Sequence, residues 1–200
     1  MNRTDSYKTI ASPAEGIFTG KGSKFIAYAF PVFSEEEIKE QVARLRKEHH
    51  KARHHCFAWR LGADMAHYRA NDDGEPSGSA GKPIFGQIRS YELTNILVVV
   101  VRYFGGTLLG VPGLINAYRK ATIDALENAT IAVRIVEDIC EINFDYLAMN
   151  NVMQIIKEEG LEPLDAQYDN TCTFKIPIRQ SETGRIVARF QKIESVKIKT

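Results

Sequence analysis

The apolar run at residues 96–101 (ILVVVV) constrains the fold more than any other feature of this chain. A short continuous run rich in β-branched Val is typical of a strand that is covered on both faces. Arg102 ends the run, and a glycine loop, residues 105–113 (GGTLLGVPG), and an amphipathic helix follow. This order can present backbone N–H groups to an anion. The glycines could instead serve only a tight turn, because their spacing matches neither the Walker A nor the dinucleotide-binding pattern.

Charge and cysteine content narrow the functional classes. The chain has 26 basic and 25 acidic side chains, so nucleic-acid binding would need a local basic patch. Three cysteines, far apart and without a CxxC pair, predict reduced thiols and a cytoplasmic protein. No apolar run reaches the roughly 20 residues of a membrane-spanning helix, and residues 1–10 lack the apolar part of a signal peptide. We therefore expect no membrane partner, and nothing in the composition calls for a cofactor.

The pattern of apolar residues predicts an α+β protein with two domains, residues 1–136 and 137–200. In the first domain, strand-like segments alternate with helical ones that begin after Ser34, near residue 84 and after the glycine loop. The second domain reads as strand, helix, strand, strand, helix, strand, which is the ferredoxin-like βαββαβ arrangement. Gly160 stands where a helix end is expected, and residues 169–170 (DN) suit a hairpin turn.

An acidic loop, which we define as residues 71–81 (NDDGEPSGSAG), is the first candidate site. Asp72, Asp73 and Glu75 could hold Mg²⁺ through water or act as acid and base. Alternatively, they could brace the fold. Arg102 directly follows the buried apolar run, so its charge needs a carboxylate partner such as Asp73 or Glu75. We favour bracing and predict no metal site, because no further residue completes a coordination shell.

The second candidate is a basic patch made of Arg44, Arg46, Lys47, Lys51 and Arg53. Five cations within ten residues could track phosphates, although they could equally form a solvated helix face. Four histidines lie nearby, but the spacing HHxxxHHC matches no familiar zinc site. Cys56 lies in an apolar strand and is expected to be a small core residue. No nucleophile–base pair stands out, so we assign no catalytic residue.

Three motifs together strongly resemble the YigZ/Impact family. They are DDGEPSGSAGKP at residues 72–83, VVVVRYFGGTLLGVPGL at residues 98–114, and AxHxC at residues 52–56. The resemblance covers nearly the whole chain, with the family domain at residues 15–128. The family's binding signature falls on His54, Asp72, Asp73, Gly74, Glu75, Arg102, Tyr103, Gly105, Gly106, Gly110 and Gly113.

The resemblance implies a fold for each domain. The first should be the α/β sandwich of a small-subunit ribosomal protein and of domain IV of elongation factor G, with a left-handed βαβ crossover. The second should resemble domain V of the same factor, which agrees with the ferredoxin-like pattern read from the residues.

The resemblance also implies a link to translation, because eukaryotic relatives restrain an initiation-kinase pathway by binding its ribosome-associated activator. Our first hypothesis is a binding protein that docks on RNA, on the ribosome or on a ribosome-associated protein. The alternative is a hydrolase that uses the acidic loop with Arg102. Leu108 and Asn116 stand where many relatives carry cations, which weakens phosphate binding at the glycine loop and favours the basic patch or a protein partner.

Overall fold

The computed structural model describes residues 5–199, so the outer ends of both predicted domains, residues 1–4 and 200, lie outside the description. The backbone divides into two compact units. One comprises residues 7–134, and the other comprises residues 135–199 together with residues 5–6. Each unit mixes helices with an antiparallel sheet, which confirms the predicted α+β class.

The first unit is built on a five-stranded sheet with β6 at its centre. The strands are β2 (Ala14–Gly20), β3 (Ser23–Pro31), β4 (His54–Leu61), β5 (His67–Asn71) and β6 (Ile96–Tyr103), in the order β2-β3-β6-β4-β5. All neighbours are antiparallel. Residues 96–101 are fully buried, as the unbroken apolar run predicted for a strand covered on both faces.

Three helices cover the two faces of this sheet. Helix α1 (Glu35–Glu48) packs Ile38 and Leu45 against Val99 on one face. Helices α2 (Gly81–Ser90) and α3 (Gly110–Glu127) cover the other face, where Tyr118 lies in the same apolar cluster as Val98. Successive residues of β6 therefore enter different cores, because side chains alternate across a strand. The predicted helix start is also present, since the Ser34 hydroxyl accepts the first-turn N–H of Glu37.

A separate two-stranded sheet pairs β1 (Ser6–Ile10) with β7 (Ile131–Ile135). The second unit then runs β8 (Glu137–Asp145), α4 (Met149–Glu158), β9 (Asp165–Gln167), β10 (Thr171–Arg179), α5 (Thr183–Phe190) and β11 (Lys197–Lys199). Its sheet order, β11-β8-β10-β9, is the ferredoxin-like order. Alternate residues of β10, such as Phe174 and Ile176, are buried under the helices. No helix within residues 5–199 is long and apolar enough to cross a membrane.

Candidate functional site

Asp72 organises the acidic loop by accepting hydrogen bonds from the backbone. Its carboxylate accepts the N–H groups of Gly78 at 2.8 Å, Ala80 at 3.0 Å and Gly81 at 2.8 Å. Two of these donors lie at the start of α2, whose first residues have no side-chain cap of their own. Burial alone would raise the pKa of Asp72, but the three N–H donors outweigh it and hold the pKa below its usual range. Asp72 therefore caps the N-terminus of α2 with a negative charge.

Asp73 ties the acidic loop to α1 and β4. Its Oδ1 accepts a hydrogen bond from Arg46 Nη2 at 2.7 Å, and its Oδ2 accepts the backbone N–H of His55 at 2.7 Å. The backbone of Asp73 has a φ of 41°, and its carbonyl lies 2.9 Å from His54 Nδ1. Gly74 follows with a φ of 86°, so the turn needs its freedom to adopt the left-handed region. Asp73 and His54 thus hold one tight turn in place.

Glu75 is the buried partner of Arg102. Glu75 Oε1 accepts a hydrogen bond from Arg102 Nη1 at 2.6 Å and another from Tyr118 Oη at 2.8 Å. The two charged side chains are only 4% and 7% exposed, so each neutralises a charge that would be costly to bury alone. Arg102 therefore has a carboxylate partner in the acidic loop, as expected for bracing. That partner is Glu75, while Asp73 pairs with Arg46.

A buried chain of hydrogen bonds extends from Glu75 to Cys56. Cys56 Sγ lies 2.9 Å from the Asp72 carbonyl oxygen and 3.3 Å from Tyr118 Oη, and its single proton can be donated to either of these acceptors. Burial raises the pKa of the Cys56 thiol and of the Tyr118 hydroxyl, so both stay neutral at physiological pH. These properties fit a core residue better than a nucleophile. Within residues 5–199, no group of three or more His, Cys, Asp or Glu side chains is arranged to hold a metal.

The glycine loop packs closely against the β2–β3 turn. A Cβ atom on Gly105 would lie 1.9 Å from the Gly22 backbone carbon, so only glycine fits there. Gly105 N–H donates to Ser23 Oγ at 3.1 Å. Gly106 and Gly110 have φ values of 87° and 71°, and Gly113 lies in the first turn of α3. These contacts support the packing role of the glycines, while Leu108 projects from the loop and is 79% exposed.

The start of β4 and the end of β6 form a cleft, which we call the β4–β6 cleft. Antiparallel pairing sets His54 opposite Arg102, so residues just before β4 lie beside residues just after β6. The resulting cavity has a volume of about 660 Å³. Its lining consists of Lys51, Arg53, His54, Arg102, Tyr103, Phe104 and Leu108, with no carboxylate among them. The register thus unites part of the basic patch with part of the family signature.

Two aromatic side chains of the cleft are fixed by polar neighbours. Tyr103 Oη lies 2.8 Å from His49 Nδ1, and His49 Nε2 lies 2.8 Å from Tyr28 Oη. The Arg102 guanidinium lies over the Phe104 ring, 5.5 Å from its centroid, and equally far from the Phe25 centroid. Sequence reasoning missed Phe104, although an aromatic residue directly after a buried strand and before a glycine pair was an available signal.

The basic patch is only partly free to bind a ligand. Arg46 is paired with Asp73, while Arg44 Nε lies 3.7 Å from a Glu48 carboxylate oxygen. In the part of the chain that the structure describes, no carboxylate lies within salt-bridge distance of the three remaining cations, Lys47, Lys51 and Arg53. All three are exposed. They form the free cations of the patch.

The nearby histidines do not converge on one point. His49 lies between two tyrosine hydroxyls, and His54 contacts the Asp73 carbonyl. His55 is buried on the α1 side of β4, on the same side as His49, and burial lowers its pKa and keeps it neutral. Among the described residues, no three possible ligands converge here, and the observed contacts fit local structural roles better than a shared zinc ion.

Comparison with known proteins places these motifs in a family. The model of the Impact N-terminal domain matches residues 21–126, which include the acidic loop, the cleft and the glycine loop. The IMPACT family member YvyE of Bacillus subtilis is 32% identical over 179 residues, covering 90% of this chain and 82% of that protein. YigZ of Escherichia coli is 41% identical over 128 residues, or 63% of each chain.

A solved structure extends the similarity to both units. The crystal structure of a hypothetical protein aligns with a TM-score of 0.75 and 28% sequence identity, covering 97% of this chain and 96% of that one. The family model covers more than half of the chain, and YvyE matches it over most of both lengths. The chain belongs to the IMPACT family.

Proposed function

We propose that this protein is a cytoplasmic, translation-linked regulatory protein that docks on RNA or on the ribosome through its basic patch. The observation that carries the proposal is the β4–β6 cleft, where the exposed cations Lys51 and Arg53 stand beside Arg102 with no carboxylate in the lining. Membership of the IMPACT family supports the link to translation, and the three buried free cysteines fit a reducing compartment.

Local charge matters here because the whole chain is nearly neutral, with a net charge of +1. A phosphate backbone attracts Lys and Arg side chains that have no carboxylate partner, and each contact releases bound counterions. Lys47, Lys51 and Arg53 meet that condition. Arg46 does not, because Asp73 already neutralises it. The docking surface is therefore centred on the end of α1 and the cleft.

The contacts of the acidic loop favour this proposal over the hydrolase alternative. A catalytic carboxylate must reach a substrate proton or a nucleophile. Asp72 instead accepts three backbone N–H groups, Asp73 pairs with Arg46, and Glu75 pairs with Arg102. We assign the loop a bracing role, in which it holds Arg102 at the base of the cleft.

Charge reversal of the free cations tests the proposal. The variant Lys47→Glu/Lys51→Glu/Arg53→Glu should lose co-sedimentation with ribosomes and binding to single-stranded RNA. Single Ala variants should each lower the slope of log affinity against log salt by about 0.7, the value for one contact with a single strand. Arg46 is left intact, because a Glu there would face Asp73 and disturb the fold.

A matched control distinguishes the loss of the patch cations from a change in the net charge of the protein. Arg89→Glu/Lys157→Glu/Lys192→Glu changes the net charge equally at three exposed cations outside the patch, and it should bind like the wild type. Circular dichroism and thermal melts check that both triple variants are folded. Binding by the patch variant at the wild-type affinity and salt slope would contradict the proposal.

A further inference from the structure

Phe104 stands at the mouth of the β4–β6 cleft with much of its ring in solvent. Its side chain is 56% exposed, although it directly follows the buried strand β6. An exposed aromatic ring in a basic cleft matches the two parts of a single-strand binding site, which are a stacking platform and a charged groove. We infer that the cleft takes one unstacked base of single-stranded RNA on the Phe104 ring, an inference that rests on the function proposed above.

One face of the Phe104 ring already contacts a cation in the structure. The Arg102 guanidinium lies 5.5 Å from the centroid of Phe104 and 5.5 Å from that of Phe25, so it is placed between two aromatic rings. Glu75 holds the guanidinium through the 2.6 Å hydrogen bond. A base on the opposite face of Phe104 would meet a ring already fixed by a cation, so little side-chain entropy would be lost on binding.

The rest of the cleft suits the sugar and phosphate of the same nucleotide. Lys51 and Arg53 line the same cavity and are exposed, unpaired cations among the described residues. Its volume of about 660 Å³ lies in the range of sites that hold one small molecule or one residue of a polymer. A duplex cannot place a base on Phe104 without breaking its own stacking, so the cleft selects single strands.

The lining favours RNA over a protein segment. The unpaired cations Lys51 and Arg53 face a space without a carboxylate, whereas a protein-docking groove is depleted of charge at its centre. The exposed apolar lining residues are Phe104 and Leu108, one from each side of Gly105 and Gly106. Leu108 adds an apolar edge against which the base can rest.

Fluorescence anisotropy with labelled oligonucleotides tests the stacking role. The probes are a 12-nucleotide oligo(U) strand, a 12-nucleotide strand of abasic ribose phosphates, and a 12-base-pair RNA duplex. Phe104→Leu should weaken binding of oligo(U) by roughly tenfold, since stacking on an aromatic ring contributes about that factor or more per base. The same variant should bind the abasic strand and the duplex like the wild type, and its salt slope should be unchanged.

Two further variants make the test specific. Phe104→Trp keeps a stacking face and should retain oligo(U) affinity, and the fluorescence of the introduced ring should be quenched when a base stacks on it. Phe33→Leu is the matched control, because Phe33 is 60% exposed beside the opposite end of α1, and it should change nothing. Thermal melts establish that each variant is folded.

The outcomes separate the two proposals. Oligo(U) binding by Phe104→Leu at wild-type affinity, with the salt slope still dependent on Lys51 and Arg53, would overturn the stacking inference and leave the proposed RNA docking intact. Absence of wild-type binding to every RNA probe would overturn both the stacking inference and direct docking on RNA, and the proposed docking on the ribosome would then be decided by co-sedimentation. Ribosome co-sedimentation that persists in that case would point to a protein partner.

Discussion

At the scale of single residues, the Arg102–Glu75 pair connects the acidic loop with β6. Both side chains are almost fully buried, and Glu75 Oε1 also accepts the Tyr118 hydroxyl. A buried ion pair adds little stability over an apolar replacement, but the loss of one partner leaves an uncompensated charge. The pair therefore makes the position of Arg102, and through it of Phe104, sensitive to either partner.

We predict that Arg102→Ala lowers the free energy of unfolding by about 3–5 kcal/mol, because Glu75 is left buried and unpaired. Urea denaturation measures the change. The double variant Arg102→Met/Glu75→Gln should recover much of the loss, since it removes both charges. Added Mg²⁺ should leave the melting temperature nearly constant. A magnesium-dependent rise of several degrees would instead indicate a metal bound by the native state.

At the scale of secondary-structure elements, α2 depends on a residue outside itself for its N-terminal cap. Ala80 precedes the helix and offers no side-chain acceptor, so the cap comes from Asp72. A carboxylate is well suited to this place, because the N–H groups and the helix dipole both attract negative charge. The acidic loop is thereby fixed to the helix that it precedes.

We predict that Asp72→Ala destabilises the protein by about 2 kcal/mol, the upper range for loss of a helix cap. The effect should depend on pH. The pKa of Asp72 is lower in the folded protein than in the unfolded chain, so its stabilisation is present at neutral pH. It is lost as the pH falls below the ordinary carboxyl pKa of about 3.9 towards the lower folded value.

Urea unfolding of the wild type and of Asp72→Asn between pH 7 and pH 2 measures this dependence. The difference between their free energies of unfolding should shrink as the carboxyl group is protonated. Asp64→Asn, at an exposed carboxylate that accepts one local backbone N–H, serves as the control. A difference that stays constant across the acid range would contradict the capping role.

At the scale of the whole molecule, each of the two units has its own apolar core. The core of the first unit lies on both faces of its sheet, around Val98 and Tyr118 and around Val99, and that of the second lies around Phe144 and Phe174. Separate cores allow separate folding. Asp5 belongs to the second unit, where its carboxylate accepts a hydrogen bond from Arg179 Nε at 2.5 Å. This hydrogen bond holds the pKa of Asp5 well below its usual range.

We predict that residues 1–136 and 137–200 each fold when expressed alone, because the division leaves every strand of each main sheet in one fragment. Dispersed amide resonances and a cooperative urea transition from each fragment are the expected result. The fragment 1–104 is the control and should not fold, since it lacks α3 and exposes the core beneath that helix. An unfolded fragment 137–200 would contradict independent folding.

Much of the fold could be predicted from local sequence patterns. The run at residues 96–101 predicts a covered strand, and β6 is that strand. In the second domain, the order of strand-like and helical segments predicts the ferredoxin-like sheet, and its strands follow that order. These predictions succeed because strand and helix periods are properties of neighbouring residues, and burial of one face is their direct consequence.

The candidate site depends on contacts that no local pattern contains. The chemistry of Arg102 required a carboxylate, but only the tertiary structure selects Glu75 for it and gives Asp73 to Arg46. The β4–β6 register sets His54 opposite Arg102, and this pairing creates the cleft from segments about 50 residues apart. Sequence determined which residues need partners, because charge and polarity belong to single side chains. Strand pairing decided which partners they meet, because register is a property of the assembled sheet.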